Sequence, residues 1–333
     1  MVCGKSRNGF THTILIFIDI MDRRITIIGA GNVGATVAHE IARQDLAKEV
    51  VLVDVKDGIA EGKALDQWQT SSILNFDSRV VGVTNDYLRT RNSSVIVITA
   101  GIPRKPGMSR DDLIKTNAVI VKDVTEKAVK YSPDAIIIVV SNPLDVMTYA
   151  AYLAANKSPN KVFGMAGILD TGRYKAFLAD ALSISPKDIH ALLLGSHGDT
   201  MVPLKRYTSV SGIPVTDLLG NDVLDKIIER TRKGGGELVN LMGTSAWYAP
   251  GAAVAAMVDA IVRDQHRVFP VCTYVNGEYG LKDIYLGLPV ILGKNGIERI
   301  IHLNLNKEEM GLLQESAKSV KEVMNALDNM NLF

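Results

Sequence analysis

From Arg24 onward the chain alternates short apolar runs with longer amphipathic ones. "RITIIG" (24–29), "EVVLVD" (49–54), "SRVVGV" (78–83), "SSVIVITAG" (93–101), "DAIIIVVSN" (134–142) and "KVFGMAG" (161–167) are rich in Val and Ile and nearly all apolar. A strand wetted on one face would alternate with polar residues, so this pattern predicts parallel strands covered on both faces. Segments with helical spacing lie between most of them, as in "NVGATVAHEIARQDL" (32–46) and "DLIKTNAVIVKDVTEKAVKY" (112–131). Strands alternating with helices imply βαβ units, hence an α/β fold built on a doubly wound parallel sheet.

The pattern changes after about residue 167. Helical runs lengthen, over 168–182, 222–242, 245–263 and 307–328, and the strand candidates "DIHALLLG" (188–195) and "IYLGLPVILG" (284–293) carry more turn residues. We therefore expect an extension over 1–21, a first domain over 22–165 and a second, α+β domain over 166–333. No Pro/Gly/Ser-rich linker separates the halves, so they should pack together. "KGGGE" (233–237) inside a helical pattern predicts a kink or break between two helices.

Composition narrows the partners. A net charge of +1 offers no electrostatic reason to bind nucleic acid or an anionic membrane surface. Cys3 and Cys272 show no metal-ligand spacing and could form at most one bridge, which favours a reducing, cytoplasmic setting. Near the N-terminus, "TILIFIDI" (13–20) follows a weakly basic start. Asp19 interrupts the run, no small-residue cleavage site follows, and the run is too short to span a bilayer. It reads as a disordered or loosely docked extension rather than an export signal.

The chemistry begins at "ITIIGAGNVGATVAHEIA", where Gly29, Gly31 and Gly34 form G-x-G-x-x-G between a strand and a helix. Gly31 lets backbone N–H groups approach a pyrophosphate, and the helix N-terminus supplies partial positive charge. Asp54 ends the second strand, twenty residues past Gly34. A carboxylate there accepts hydrogen bonds from a free ribose 2′-OH and repels a 2′-phosphate, which favours NAD over NADP. The expected fold is accordingly Rossmann-type.

Further along, "LLLGSHGDT" (192–200) sets His197 between glycines at the end of an apolar strand, an open position suited to proton transfer. "GILDTGRYKAFLA" (167–179) opens a helix with Asp170 and Arg173 in its first turn. Asp170 alone could be a cap, but a cation at that end opposes the helix dipole, and an anionic partner for Arg173 would resolve this. Asn142 in "VVSNPLD" (139–145) stands at a strand end, though Asn-Pro is also an ordinary turn. "GIPRKPGMSRDD" (101–112) places Arg104 and Arg110 on a Pro- and Gly-rich loop after a buried strand.

In this order, "GAGNVG", "VLVDV", "TAGIPRKPGMSR", "SNPLD", "GILDTGR" and "GSHGD" resemble the lactate/malate dehydrogenase family over residues 22 to 333. "GSHGDTMVP" and "SAWYAPG" (245–251) are most similar to its lactate-dehydrogenase-like malate dehydrogenase branch. The resemblance implies NAD as cofactor and a reversible oxidation of (S)-malate to oxaloacetate. It implies His197 as acid/base paired with Asp170, Arg173 on the C1 carboxylate, Arg110 on the reacting carbonyl and Asn142 on the substrate oxygen. Arg104 stands where the family reads the substrate's far end; a cation suits a second carboxylate, whereas lactate dehydrogenases are neutral there. Asn32, Val33, Asn117 and Asn142 join the glycines and Asp54 as implied cofactor residues, and the loop at 101–112 becomes a lid over the nicotinamide. A homotetramer, or a homodimer, is expected by the same resemblance. Rival readings are a lactate or broad 2-hydroxy-acid dehydrogenase, which Arg104 argues against, and an NAD-binding protein without catalysis. The NAD- and metal-dependent glycosidases need a Cys/His metal site for which neither cysteine is placed.

Overall fold

A computed structural model describes residues 23–103 and 107–333; the extension over 1–21 and Arg104 lie outside the described residues. The first half runs β1 (Arg24–Ile28), α1 (Asn32–Arg43), β2 (Glu49–Asp54), α2 (Ile59–Gln69), α3 (Ser71–Leu74), β3 (Arg79–Thr84), β4 (Ser93–Ile98), α4 (Arg110–Tyr131), β5 (Ile136–Val139), α5 (Leu144–Ala155) and β6 (Val162–Gly164). Its six strands pair in parallel in the order β6-β5-β4-β1-β2-β3. The doubly wound sheet follows from how its side chains divide. Ile25, Ile27, Val50, Leu52, Val95 and Val97 face one core with α1 and α2, whereas Ile28, Val51, Val53, Ile96 and Ile98 face another with α4 and α5. Successive side chains point to opposite faces, so a continuous apolar run is what a strand buried on both sides requires.

The second half runs α6 (Gly167–Leu182), β7 (Ile189–His190), β8 (Leu193–Leu194), β9 (Val202–Pro203), β10 (Ser209–Val210), β11 (Ile213–Pro214), α7 (Val215–Leu218), α8 (Asn221–Met242), α9 (Tyr248–Val262), β12 (Arg267–Val275), β13 (Ile284–Gly293), β14 (Gly296–Ile300) and α10 (Lys307–Asp328). It is continuous with the first. Cys272 of β12 bridges Gly164 of β6, and the antiparallel strands β12, β13 and β14 extend the sheet to nine strands among the described residues. Helix α9 returns to the first half, where Gly251 lies so near Thr36 of α1 that a Cβ would come within 2.5 Å of its Cγ2. Among the described residues no helix is long and apolar enough to cross a membrane.

Two local expectations need correction, and one strand was not expected. "KGGGE" does not break its helix: α8 runs unbroken from Asn221 to Met242. The glycines serve packing instead, since a Cβ on Gly234 would stand 3.3 Å from the Arg173 Cδ and one on Gly235 4.0 Å from its Nη1. The stretch 188–195 is not one strand but two two-residue strands, β7 and β8, in different small sheets. Strand β12 escapes the pattern altogether, because Pro270 sits inside it and a proline argues against a central strand. There Pro270 stands opposite Pro289 of β13.

Candidate active site

The glycine-rich turn connects β1 to α1. Gly29 adopts φ +106°, and a Cβ on Gly34 would fall 1.9 Å from the Gly29 carbonyl oxygen, so helix and strand meet here backbone to backbone. Gly31 differs, because a Cβ on it would project into open space. It caps α1 without a side-chain hydrogen bond, which leaves the first-turn N–H groups of Asn32 and Val33 for an anion. Asp54 reaches back to the same turn, its Oδ2 accepting from Ala30 N at 2.6 Å and its Oδ1 from Lys56 N at 3.0 Å. A phosphate cradle beside a carboxylate at the end of β2 fits a dinucleotide with a free ribose hydroxyl.

The catalytic candidates converge from distant parts of the chain. Asp170, in the first turn of α6, is buried, and its Oδ2 lies 2.7 Å from the His197 Nδ1. An ionised carboxylate can only accept, so Nδ1 carries the proton and Nε2 is left for the cavity that His197 lines. The other oxygen, Oδ1, accepts from Arg173 Nη1 at 3.1 Å, and the buried Arg173 Nε has no partner among the described residues. Burial by itself would drive the His197 imidazolium down; the Asp170 carboxylate outweighs it and holds the ring above its ordinary value.

The loop bearing His197 is pinned from two sides. Gly195 bridges Gly287 of β13, exchanging backbone hydrogen bonds at 2.9 and 3.0 Å, and the buried Ser316 hydroxyl of α10 accepts from Ser196 N at 2.8 Å. Gly195 takes φ +84°, and a Cβ on it would meet the Ser316 Oγ at 2.6 Å. These contacts supply the rigidity that a proton-transfer group needs.

A cavity of about 450 Å³ brings Arg110, Asp145, His197 and Asp199 together, closed on one side by Ser319, Val320 and Val323 of α10. Arg110 is the first residue of α4, whose start is fixed by a capping box between Ser109 and Asp112. Asn142 is exposed beside Pro143, a wall residue of the cavity. Asn117 is buried: its Oδ1 accepts from Ile102 N at 2.8 Å, and its Nδ2 donates to the carbonyls of Ile102 and Asn142 at 3.1 and 2.7 Å. It ties the stem of the 101–112 loop to the strand end that carries Asn142. The glycine turn and Asp54 do not line this cavity. Sequence reasoning missed Asp145 and the wall from α10; the first is masked as an ordinary first-turn acid, and the second lies more than a hundred residues from His197.

With this fold and site in view, the chain belongs to the lactate/malate dehydrogenase family. The family's NAD-binding domain matches residues 23–164 and its α/β C-terminal domain residues 168–330. The chain is 63% identical over 307 residues to a malate dehydrogenase of Cytophaga hutchinsonii, a match covering 92% of this chain and 98% of that one. It superposes on the 1.55 Å resolution structure of malate dehydrogenase from Salinibacter ruber with a TM-score of 0.89 at 54% identity, over 92% of this chain and 98% of that one. A lactate dehydrogenase from Cryptosporidium parvum, complexed with lactic acid and the dinucleotide, gives the same TM-score at 38% identity, over 92% of this chain and 98% of that one. The fold alone therefore does not separate the two substrates.

Proposed function

We propose that the chain is an NAD-dependent malate dehydrogenase that interconverts (S)-malate and oxaloacetate. The observation that carries this reading is the buried Asp170 carboxylate, which holds His197 at 2.7 Å on one oxygen and Arg173 at 3.1 Å on the other. A proton-transfer nitrogen and a carboxylate-binding fork thus share one anchor, as a 2-hydroxy acid requires. NAD, when bound, supplies the hydride acceptor. Gly29, Gly31, Asn32, Val33, Gly34 and Asp54 would hold it, with Asn117 and Asn142 completing the set, and the charge of Asp54 favours NAD over NADP.

His197 Nε2 takes the hydroxyl proton during malate oxidation, and Asp170 stabilises the resulting imidazolium. Arg173 grips the C1 carboxylate, Arg110 polarises the carbonyl, and Asn142 hydrogen-bonds the substrate oxygen. Arg104 takes the second carboxylate as the 101–112 loop closes. With pyruvate that charge would be buried without a partner, at a cost of roughly 3–5 kcal/mol, or on the order of two to four decades in specificity. In this division residues 22–165 form the NAD-binding domain and 166–333 the substrate/catalytic domain, with Arg104, Arg110 and Asn142 reaching the substrate from the first.

The enzyme works in the cytoplasm as a homotetramer, with a homodimer as the alternative. Leu65, Ile73, Leu74, Leu241 and Tyr248 are exposed, and burying such large apolar side chains favours self-association. Light scattering on a sizing column distinguishes the two assemblies, and fractionation tests the compartment. The test of function is NADH oxidation with oxaloacetate and with pyruvate, in wild type and Arg104→Gln. A strong oxaloacetate preference that collapses in the variant is expected. Equal use of both substrates, or an indifferent variant, would leave only a 2-hydroxy-acid dehydrogenase.

A further inference from the structure

We propose that Asp145 is a positioning residue for the reaction, a second buried carboxylate that fixes the His197 main chain and sets its charge beside the ring. An acid in the first turn of a helix usually needs no explanation beyond the helix dipole. Asp145 is unusual in three respects. It is buried, it lines the same cavity as His197, and its Oδ2 accepts the His197 backbone N–H at 3.1 Å across 52 residues of chain. No N–H or O–H donor among the described residues reaches its other oxygen, Oδ1. The remaining neighbour able to donate is the buried Cys272 thiol, which its own burial and then the nearby carboxylate hold protonated.

A buried carboxylate with so few donors is expensive to keep ionised, and burial holds Asp145 above the ordinary carboxylate range, the His197 charge offsetting only part of it. The same attraction, seen from the histidine, helps to keep the ring protonated. The charged groups around the ring come from several elements: Asp170 and Arg173 from α6, Asp145 from α5, Arg110 from α4 across the cavity, and Asp199 on the same loop. Asp170 orients the ring through Nδ1; Asp145 holds the residue by its backbone. Of these, Asp170 and Asp145 act on the ring against Arg173, and His197 is biased toward its acid form.

This inference rests on His197 being the acid/base group, so the experiment separates the two. The pH profile of kcat/KM for oxaloacetate reduction is measured in wild type, His197→Asn and Asp145→Asn, with NADH affinity and thermal melting recorded for each. Reduction needs the protonated ring, so activity falls as pH rises through the His197 pKa. Asn at 145 keeps an acceptor for the His197 N–H and removes the charge. The alkaline limb should move about one unit to lower pH, with NADH affinity unchanged, so that activity above the limb drops about tenfold. An unmoved limb in a folded Asp145→Asn protein, whatever its rate, overturns the proposal while leaving His197 in place. A wild type without an alkaline limb, or an active His197→Asn, overturns both readings. Should Asp145→Asn fail to melt cooperatively, Asp145→Ser is measured in its place; failure of both to fold assigns Asp145 a structural role and overturns the proposal.

Discussion

Replacing Asp170 by Asn changes one atom of the side chain but should disable the enzyme in a pH-dependent way. The carboxylate lies 2.7 Å from the His197 Nδ1 and is almost fully buried, with 2% of its side chain exposed. Burial pushes the His197 ring down, and the Asp170 charge at that range outweighs it and holds the ring up. Without the charge, burial acts on His197 against the smaller pull of Asp145. The protonated fraction above the alkaline limb then falls. The Asn can also present its amide to the ring and favour the wrong tautomer, and Arg173, bonded at 3.1 Å, loses its counter-charge. Together these predict a loss of about 10³ in kcat/KM for oxaloacetate reduction at pH 8, smaller at pH 5.5, with a rise in KM. Steady-state NADH oxidation from pH 5 to 9 reads it directly. A loss under tenfold at pH 8, or one independent of pH, would refute the electrostatic reasoning.

Other consequences concern packing and linkage. Gly34→Ala should destabilise the protein by at least about 3 kcal/mol in denaturant titration, because its Cβ meets the Gly29 carbonyl at 1.9 Å. Gly31→Ala, opening into free space, should leave stability within about 0.5 kcal/mol and weaken NADH binding instead; equal destabilisation of both would contradict the cradle. Gly234→Val should push the Arg173 side chain from its slot and raise the KM for oxaloacetate about tenfold or more with NADH affinity kept, checked by fluorescence titration. His197 is held above its ordinary value, so the stability it contributes is complete below the unfolded pKa of about 6.5 and is lost as pH rises through the higher folded value. The melting temperature of wild type should therefore approach that of His197→Asn across that window, and a constant gap would count against the linkage.

Much of this is legible in the sequence, and for a common reason. Strand runs such as "EVVLVD", the turn at Gly29–Gly34 and the helix at 307–328 are local features, set by side-chain period, steric demand at glycine and capping chemistry within a few residues. Candidate chemistry was legible where a residue type conflicted with its local setting, as with Arg173 at a helix start. Where local rules pointed the wrong way, a distant neighbour had overruled them. Gly234 looked like a helix break and is a slot for an arginine on another helix; Pro270 would ordinarily interrupt a strand and stands within a long antiparallel pair. What only the tertiary structure decided is who meets whom: Asp145 with the His197 backbone, Gly195 with Gly287, Ser316 with Ser196. Those contacts join residues from 52 to 120 positions apart. No spacing along the chain encodes them, because each arises from the way the helices and the extended sheet close around one cavity.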